Sequence, residues 1–334
     1  MDMATRTAPA RTGRGSANGS GNTGWKLHRS GGLQILEVEP FAHLEWLVHG
    51  FSTRPGGTSE IDLTNRVSAR GRTASKPKTS ERVLNLGFTD WDKRERVLEN
   101  RYKFFRAIGA KDLQPITLRQ IHSDILHRVD TGPAKSTDPL QGDALFTRES
   151  DILLAVQTAD CIPILLADTR LHAVAAIHAG WRGTLRRIAA KTLGRMQMEF
   201  GTRPGDVIAA LGPGIGRCCY EVGEDVAREF HAQFSNAREW FDGPFDALAS
   251  GENDPNWLPW LTMKPPGHAP PTLRANLDLI AANRAILADA GVPAARILSS
   301  DYCTACRTDL FFSYRREHTA GQPTGRMMAA IGIR

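Results

Sequence analysis

Two apolar runs near the middle of the chain, residues 162–167 and 173–177, are each of strand length and are separated by the polar Asp168, Thr169 and Arg170. The pattern predicts two neighbouring strands joined by a tight turn. If the strands are antiparallel, Cys161 at the start of the first and His178 at the end of the second return to the same edge of a sheet. Further strands are predicted at 33–38, 46–51, 207–211, 296–299 and 326–333, and a strand-like stretch at 116–129 is interrupted by Gln120-Ile-His122-Ser-Asp124. Helical spacing marks 92–108, with Val97, Leu98, Phe104, Phe105 and Ile108 inward and Gly109 as its stop. It also marks 184–200, starting just after Gly183 and so close to His178, then 222–234, and 277–290 ending at Gly291. Residues 52–57 read as a turn that exposes Arg54. The stretches 60–82 and 236–271 read as insertions, the second of them irregular.

Composition narrows the class. A chain of 334 residues, 41% hydrophobic, is long enough for a large core in one domain or two. No run of about 18 apolar residues exists, which argues against a membrane-spanning helix. Residues 1–24 hold no apolar stretch of the kind a secretory signal needs and read as a disordered basic tail, so the expected compartment is the cytoplasm. Five cysteines without a repeating framework fit reduced thiols. Of the net charge of +6, the tail carries +2 and residues 65–82 carry +5, which leaves the remainder at −1. The basicity belongs to a tail and a loop, and a nucleic-acid partner is not expected.

The reactive groups suggest a site. His122, Cys161 and His178 form a borderline-soft ligand set suited to Zn²⁺, and three protein ligands would leave one position open, as in catalytic zinc sites. In competing readings, Cys161 is a buried small hydrophobe between two structural histidines, or a nucleophile with His178 as base and Asp160 or Asp168 orienting it. Several copper centres would need more histidine pairs than ten scattered histidines provide. Arg54 beside its turn could hold an anion. The loop Gly212-Pro-Gly-Ile-Gly216 matches neither established phosphate-loop pattern. Cys303-Thr-Ala-Cys306 resembles half a zinc knuckle, with no second C-x-x-C to complete four ligands.

Several segments carry a family resemblance: Gly50-Phe-Ser-Thr-Arg-Pro-Gly-Gly57, Gln120-Ile-His-Ser123, Gly142-Asp-Ala-Leu-Phe-Thr147, Thr158-Ala-Asp-Cys161, His178-Ala-Gly-Trp-Arg-Gly183, Cys219-Tyr-Glu-Val222 and Phe311-Phe-Ser-Tyr-Arg-Arg316. The chain resembles the laccase-domain family, formerly labelled multicopper polyphenol oxidases and now regarded as purine nucleoside phosphorylases, related to human FAMIN and to a bacterial peptidoglycan editing factor. The resemblance implies an α+β fold, a single-domain sandwich of mixed β-sheets flanked by helices with a cysteine-hydrolase-like superfold, spanning residues 25–334 as one catalytic domain. It implies His122, Cys161 and His178 as zinc ligands. Cys161, His178, Arg54 and Asp160 become the expected catalytic residues, and Arg54, Gln120, Arg182 and Arg315 the substrate-binding ones. The implied reaction is phosphorolysis of adenosine, inosine, guanosine and methylthioadenosine, with deamination of adenosine. Purine nucleosides and phosphate are thus the expected partners, and monomer and homodimer both stay open. The pattern departs from the family after Asn85-Leu-Gly87, where Phe88-Thr-Asp-Trp-Asp92 replaces the usual His-Val-Gly-Asp run. Two other readings accompany this one: a hydrolase that edits peptidoglycan precursors, and a non-enzymatic binding protein stabilised by zinc.

Overall fold

In the strand Ile162–Asp168, Ile164 and Leu166 point to one face and Leu165 and Ala167 to the other, yet all four are fully buried. A strand apolar on both faces has to be covered on both faces. The computed structural model, which describes residues 24–62, 80–130, 140–245 and 274–334, satisfies this with four layers.

Two six-stranded mixed sheets face each other. The first runs Trp25–Ser30, Leu33–Val38, Leu47–Ser52, Met327–Ile333, Ile152–Thr158, Gln114–Thr117. The second runs Ile297–Ser299, Val207–Leu211, Ile162–Asp168, Ala173–Ala179, Ala144–Thr147, Leu126–Arg128. Leu154, Val156, Ala329 and Ile331 of the first sheet meet Leu165, Ala167, Val174 and Ala176 of the second in the central layer. The alternate residues look outward: Leu153, Ala155, Met328 and Ala330 pack beneath Phe104 of the helix Arg94–Ala107. On the opposite side, Ile164, Leu166, Ala175 and Ile177 pack beneath the helices Ile188–Phe200, Glu224–Gln233 and Leu279–Asp289. The expected α+β sandwich of mixed sheets flanked by helices is the fold observed. Among the described residues, no helix is long and apolar enough to cross a membrane.

The expected hairpin is present, with Ile162 opposite Ala179 and Asp168 opposite Ala173. Asp168 closes its turn by accepting the Arg170 and Leu171 amides. Several expectations are corrected. The stretch 116–129 is not one strand: Gln114–Thr117 belongs to the first sheet and Leu126–Arg128 to the second, and the polar residues between them form the crossing. The helix expected at 184–200 is broken, because Arg187 adopts a left-handed φ of 58° between a short helix Trp181–Leu185 and the longer Ile188–Phe200. The turn at 52–57 does not expose Arg54. Pro55–Asp62 is a strand paired with Ser80–Val83, and Arg54 is 1% exposed.

The basic stretch of the first insertion falls mainly in residues 63–79, outside the described residues, and residues 246–273 of the second are likewise outside them. The start of the second insertion is not irregular. Ala237–Trp240 forms a helical turn, Phe241–Asp242 pairs with Ala275–Leu277, and Trp240, Phe241 and Phe245 join the core.

The sandwich places the site at one end. The chain passes from the first sheet to the second twice, at 118–125 and again at 159–161. These two crossings carry His122 and Cys161. The far end of the strand Ala173–Ala179 brings His178 to the same place.

Burial of His49 in the first sheet has a consequence in acid. Its Nε2 accepts the Val38 amide at 2.8 Å, so the ring is neutral in the fold. Burial, reinforced by nearby His28, lowers its pKa from 6.5 to about 3. Below pH 6.5 the unfolded chain therefore binds a proton that the folded chain refuses, and stability falls as pH falls toward 3. His49 should contribute roughly 1.4 kcal/mol of lost stability per pH unit across that window. Urea unfolding of the wild type and His49→Gln between pH 7 and 4 tests this; equal pH slopes in the two proteins would remove His49 as a cause.

Candidate metal centre and active cleft

Asp143 stands at the start of the strand Ala144–Thr147, fully buried, in a turn where Gly142 passes the Ile125 carbonyl too closely for any side chain. Its carboxylate accepts the amides of Ile121 (3.3 Å), His122 (3.1 Å) and Ser123 (2.6 Å), and the Ser123 hydroxyl (2.7 Å). It also faces His178 Nδ1 at 2.8 Å. Burial alone would raise its pKa, but the contacts with His178 and Ser123 win and bring it down to about 2. One anion therefore holds both histidines. It clamps the loop in which His122 has a left-handed φ of 57°, a conformation that costs on the order of 1 kcal/mol without support. It also engages Nδ1 of His178, leaving Nε2 free to act as a ligand.

The His122 and His178 rings meet edge to face with centroids 4.9 Å apart. Their ring nitrogens and Cys161 Sγ lie within 4.8 Å of one another, a grouping that could hold a metal ion. Gly180 makes the approach feasible, since a Cβ there would sit 2.9 Å from Cys161 Sγ and 3.3 Å from the His122 ring. Burial pushes the Cys161 thiol up, but the His178 charge and hydrogen bonds from both histidines outweigh it and bring the pKa to about 6. Burial would likewise lower His178, yet the Cys161 thiolate and then Asp143 raise it to about 9. The sulfur is thus primed as a thiolate, the form that binds metal.

These groups line a cleft of about 530 Å³ shared with Trp181, Arg182, Tyr220, Tyr314, Arg315 and Arg326. Arg182 lies over the Trp181 ring at 4.2 Å and Arg315 over Tyr220 at 5.3 Å. Burial first, and then the Cys161 charge, push the Tyr220 phenol well above its ordinary pKa, so it is a neutral hydrogen-bond donor.

The other expected residues take different places. Asp160 lines the cleft, but its carboxylate is already engaged by the Thr304 hydroxyl and the Arg315 amide, each at 2.6 Å. Gln120 lines it too, with its amide closed on the Gln157 backbone through two 2.7 Å hydrogen bonds. Arg54 is not among the lining residues. Its guanidinium is sealed between Glu317 and Glu81 and lies 5.0 Å from the Phe312 ring centroid. Neither Asp160 nor Asp168 orients His178; Asp143 does. Sequence reasoning missed Asp143 and Arg326. The available signal was an acid embedded in the apolar Gly142–Thr147 segment, where a charge needs several donors.

Two outcomes follow from this geometry. Asp143→Asn should weaken metal affinity about 10–100-fold, read by competition against a chromophoric chelator; unchanged affinity would contradict its orienting role. Arg54→Ala leaves Glu317 buried without its cation and should lower stability by about 3–5 kcal/mol. Urea denaturation measures that, and a loss below 1 kcal/mol would show the pair to be dispensable.

Both the sequence and the fold have known relatives. A family model described as multi-copper polyphenol oxidoreductase laccase matches residues 48–334. A purine nucleoside phosphorylase of Deinococcus radiodurans is 36% identical over 304 residues, covering 90% of this chain and 94% of that one. The adenosine deaminase RL5, from an unknown prokaryotic organism, is 36% identical over 303 residues, covering 89% and 98%. Among solved structures, YlmD of Geobacillus stearothermophilus superposes with a TM-score of 0.67 at 29% identity, covering 93% of this chain and 99% of that one. The chain belongs to the multi-copper polyphenol oxidoreductase laccase family.

Proposed function

We propose that residues 25–334 form one catalytic domain and that the chain is a zinc-dependent purine nucleoside phosphorylase. It would convert adenosine, inosine, guanosine or methylthioadenosine, with phosphate, into free base and the corresponding sugar 1-phosphate, and deaminate adenosine at the same site. One observation carries this reading. A His–Cys–His donor set shares its cleft with Arg182, Arg315 and Arg326, none of which forms an ion pair with a carboxylate among the described residues. A cleft holding three guanidiniums that are not ion-paired favours an anion, and planar guanidinium suits phosphate. The names of the relatives, purine nucleoside phosphorylase and adenosine deaminase, support the two activities.

The donor set fits zinc: one thiolate and two imidazoles, with His178 Nδ1 engaged by Asp143 and Nε2 free. Bound by His122, Cys161 and His178, zinc would supply a Lewis acid able to polarise an oxygen or make a water more acidic. The chain's own residues do the rest. In phosphorolysis a phosphate oxygen bonds to C1′ of the sugar while the C1′–N9 bond breaks, and the purine leaves with the electron pair. Arg182, Arg315 and Arg326 hold the phosphate and offset its charge. Trp181, Tyr220 and Tyr314 offer flat walls for the purine and sugar, and the neutral Tyr220 phenol can donate to the departing base. In deamination, water adds at C6 and ammonia leaves. Asp160 serves as a positioning residue that fixes the Arg315 backbone, and Arg54 anchors the helix Tyr314–Thr319 through Glu317.

Adenosine with phosphate should yield adenine and ribose 1-phosphate, with no base release when phosphate is omitted. Arg182→Ala and Arg326→Ala should each raise the KM for phosphate roughly 10–100-fold, the equivalent of one lost charged hydrogen bond. Base release independent of phosphate, or none from any purine nucleoside, would overturn the proposal.

A further inference from the structure

The chain brings together a second group of side chains that could hold a metal ion, four cysteines. Cys303 and Cys306 lie in a turn where the Cys306 and Arg307 amides donate to the Cys303 carbonyl. Cys218 and Cys219 lie in another turn, where the Cys219 and Tyr220 amides donate to the Gly216 carbonyl. The two turns face each other. The Sγ atoms of all four cysteines lie within 4.8 Å of one another, with Cys218–Cys306 at 3.5 Å and Cys219–Cys306 at 3.4 Å. Four sulfurs each 2.3 Å from a tetrahedral zinc ion would be about 3.8 Å apart, so the observed spacing is that of a ligand shell. A disulfide needs about 2 Å.

The surroundings match. The Gly216 amide donates to Cys303 Sγ at 3.2 Å, and Gly216 is hydrogen on that side because a Cβ would stand 3.1 Å from the Cys303 Cβ and 3.4 Å from Cys218 Sγ. Arg316 lines a cleft with Cys218 and Cys219 and forms no ion pair among the described residues, so a cation stands beside a group that would carry two net negative charges once metallated. The half-knuckle in the sequence is completed by an adjacent cysteine pair 84 residues earlier, between Cys219 and Cys303.

We propose that Cys218, Cys219, Cys303 and Cys306 bind a structural zinc ion, distinct from the His122–Cys161–His178 centre. All four positions are filled by protein, so this ion is closed to substrate. Binding releases the thiol protons to solvent. Its effect is to tie the loop bearing Ile215 and Tyr220 to the segment bearing Tyr314 and Arg315, two neighbouring parts of the cleft lining that already meet where Arg315 lies over Tyr220. The isolated Gly214–Cys303 bridge and the Thr304 amide to Gly214 carbonyl bond already join these segments; the ion would lock them.

Metal analysis of the full-length protein, purified without chelators, separates the two sites without reference to activity. Wild type should hold two zinc ions per chain, Cys161→Ala one, and Cys303→Ser/Cys306→Ser one. If the double variant does not fold, Cys161→Ala loaded with Co²⁺ gives an independent reading, because its remaining site should show the intense thiolate-to-cobalt and tetrahedral d–d absorption of four sulfur ligands. The proposal is overturned if wild type holds one ion that disappears in Cys161→Ala. It is overturned equally if cobalt-loaded Cys161→Ala lacks thiolate absorption, or if intact mass shows the loss of two hydrogens that marks a disulfide.

Discussion

A single buried carboxylate, Asp143, organises the end of the molecule that carries His122, Cys161 and His178. An isolated carboxylate at zero exposure would be strongly unfavourable, and it is stable here only because three amides, a hydroxyl and an imidazole converge on it. The dependence runs both ways. Those donors belong to the crossing at 121–123 and to the end of the strand Ala173–Ala179, which the carboxylate joins in addition to the backbone bonds from His178 to Asp143 and from Asp143 to Ile125. The same bonds that satisfy Asp143 set the backbone of His122 and the ring orientation of His178. Placement of Cys161 then follows from the second crossing between the sheets, because its strand pairs with that of His178 and Pro163 lies opposite His178.

The arginines divide by whether a carboxylate answers them. Arg54 is enclosed with Glu317 and Glu81 and serves architecture, fastening the Pro55–Asp62 strand to the helix Tyr314–Thr319. Arg182, Arg315 and Arg326 line the cleft without an ion pair to a carboxylate among the described residues; Arg182 and Arg315 lie over aromatic rings, and Arg315 and Arg326 donate to backbone carbonyls. Charge left uncompensated in a partly enclosed cleft is available to a ligand. Asp160, with a left-handed φ of 93°, connects the two groups by holding Thr304 and the Arg315 amide.

Much of the fold was legible because strands buried on both faces read as short, continuous apolar runs bounded by polar turns. The apolar runs around Leu165 and Ala175 announced both their length and their pairing. What escaped was decided by tertiary contact. The 116–129 segment reads as one strand because its ends are apolar, and only the two-sheet arrangement shows that its polar centre is a crossing. The helix after Gly183 continues on propensity alone, while the fold imposes a left-handed Arg187. Arg54 looked exposed because Gly and Pro surround it, whereas its partners Glu81 and Glu317 lie 27 and 263 residues away. His122, Cys161 and His178 stood out by chemistry and resemblance, and the structure brings them together as a group that could hold a metal ion. Asp143 was hidden because its role depends on donors from separate segments, and the Cys218–Cys219 pair because its complement is distant in sequence.

The proposed function requires that His122, Cys161 and His178 hold a metal whose remaining position opens toward the arginines. Anomalous diffraction at the zinc edge, from crystals grown with phosphate and a non-cleavable nucleoside, is the direct test. The expected result is an anomalous peak bonded to both histidine rings and Cys161 Sγ, with a fourth, non-protein ligand, and phosphate density on Arg182, Arg315 or Arg326. A peak enclosed by four protein ligands at that site, or phosphate bound away from all three arginines, would contradict it.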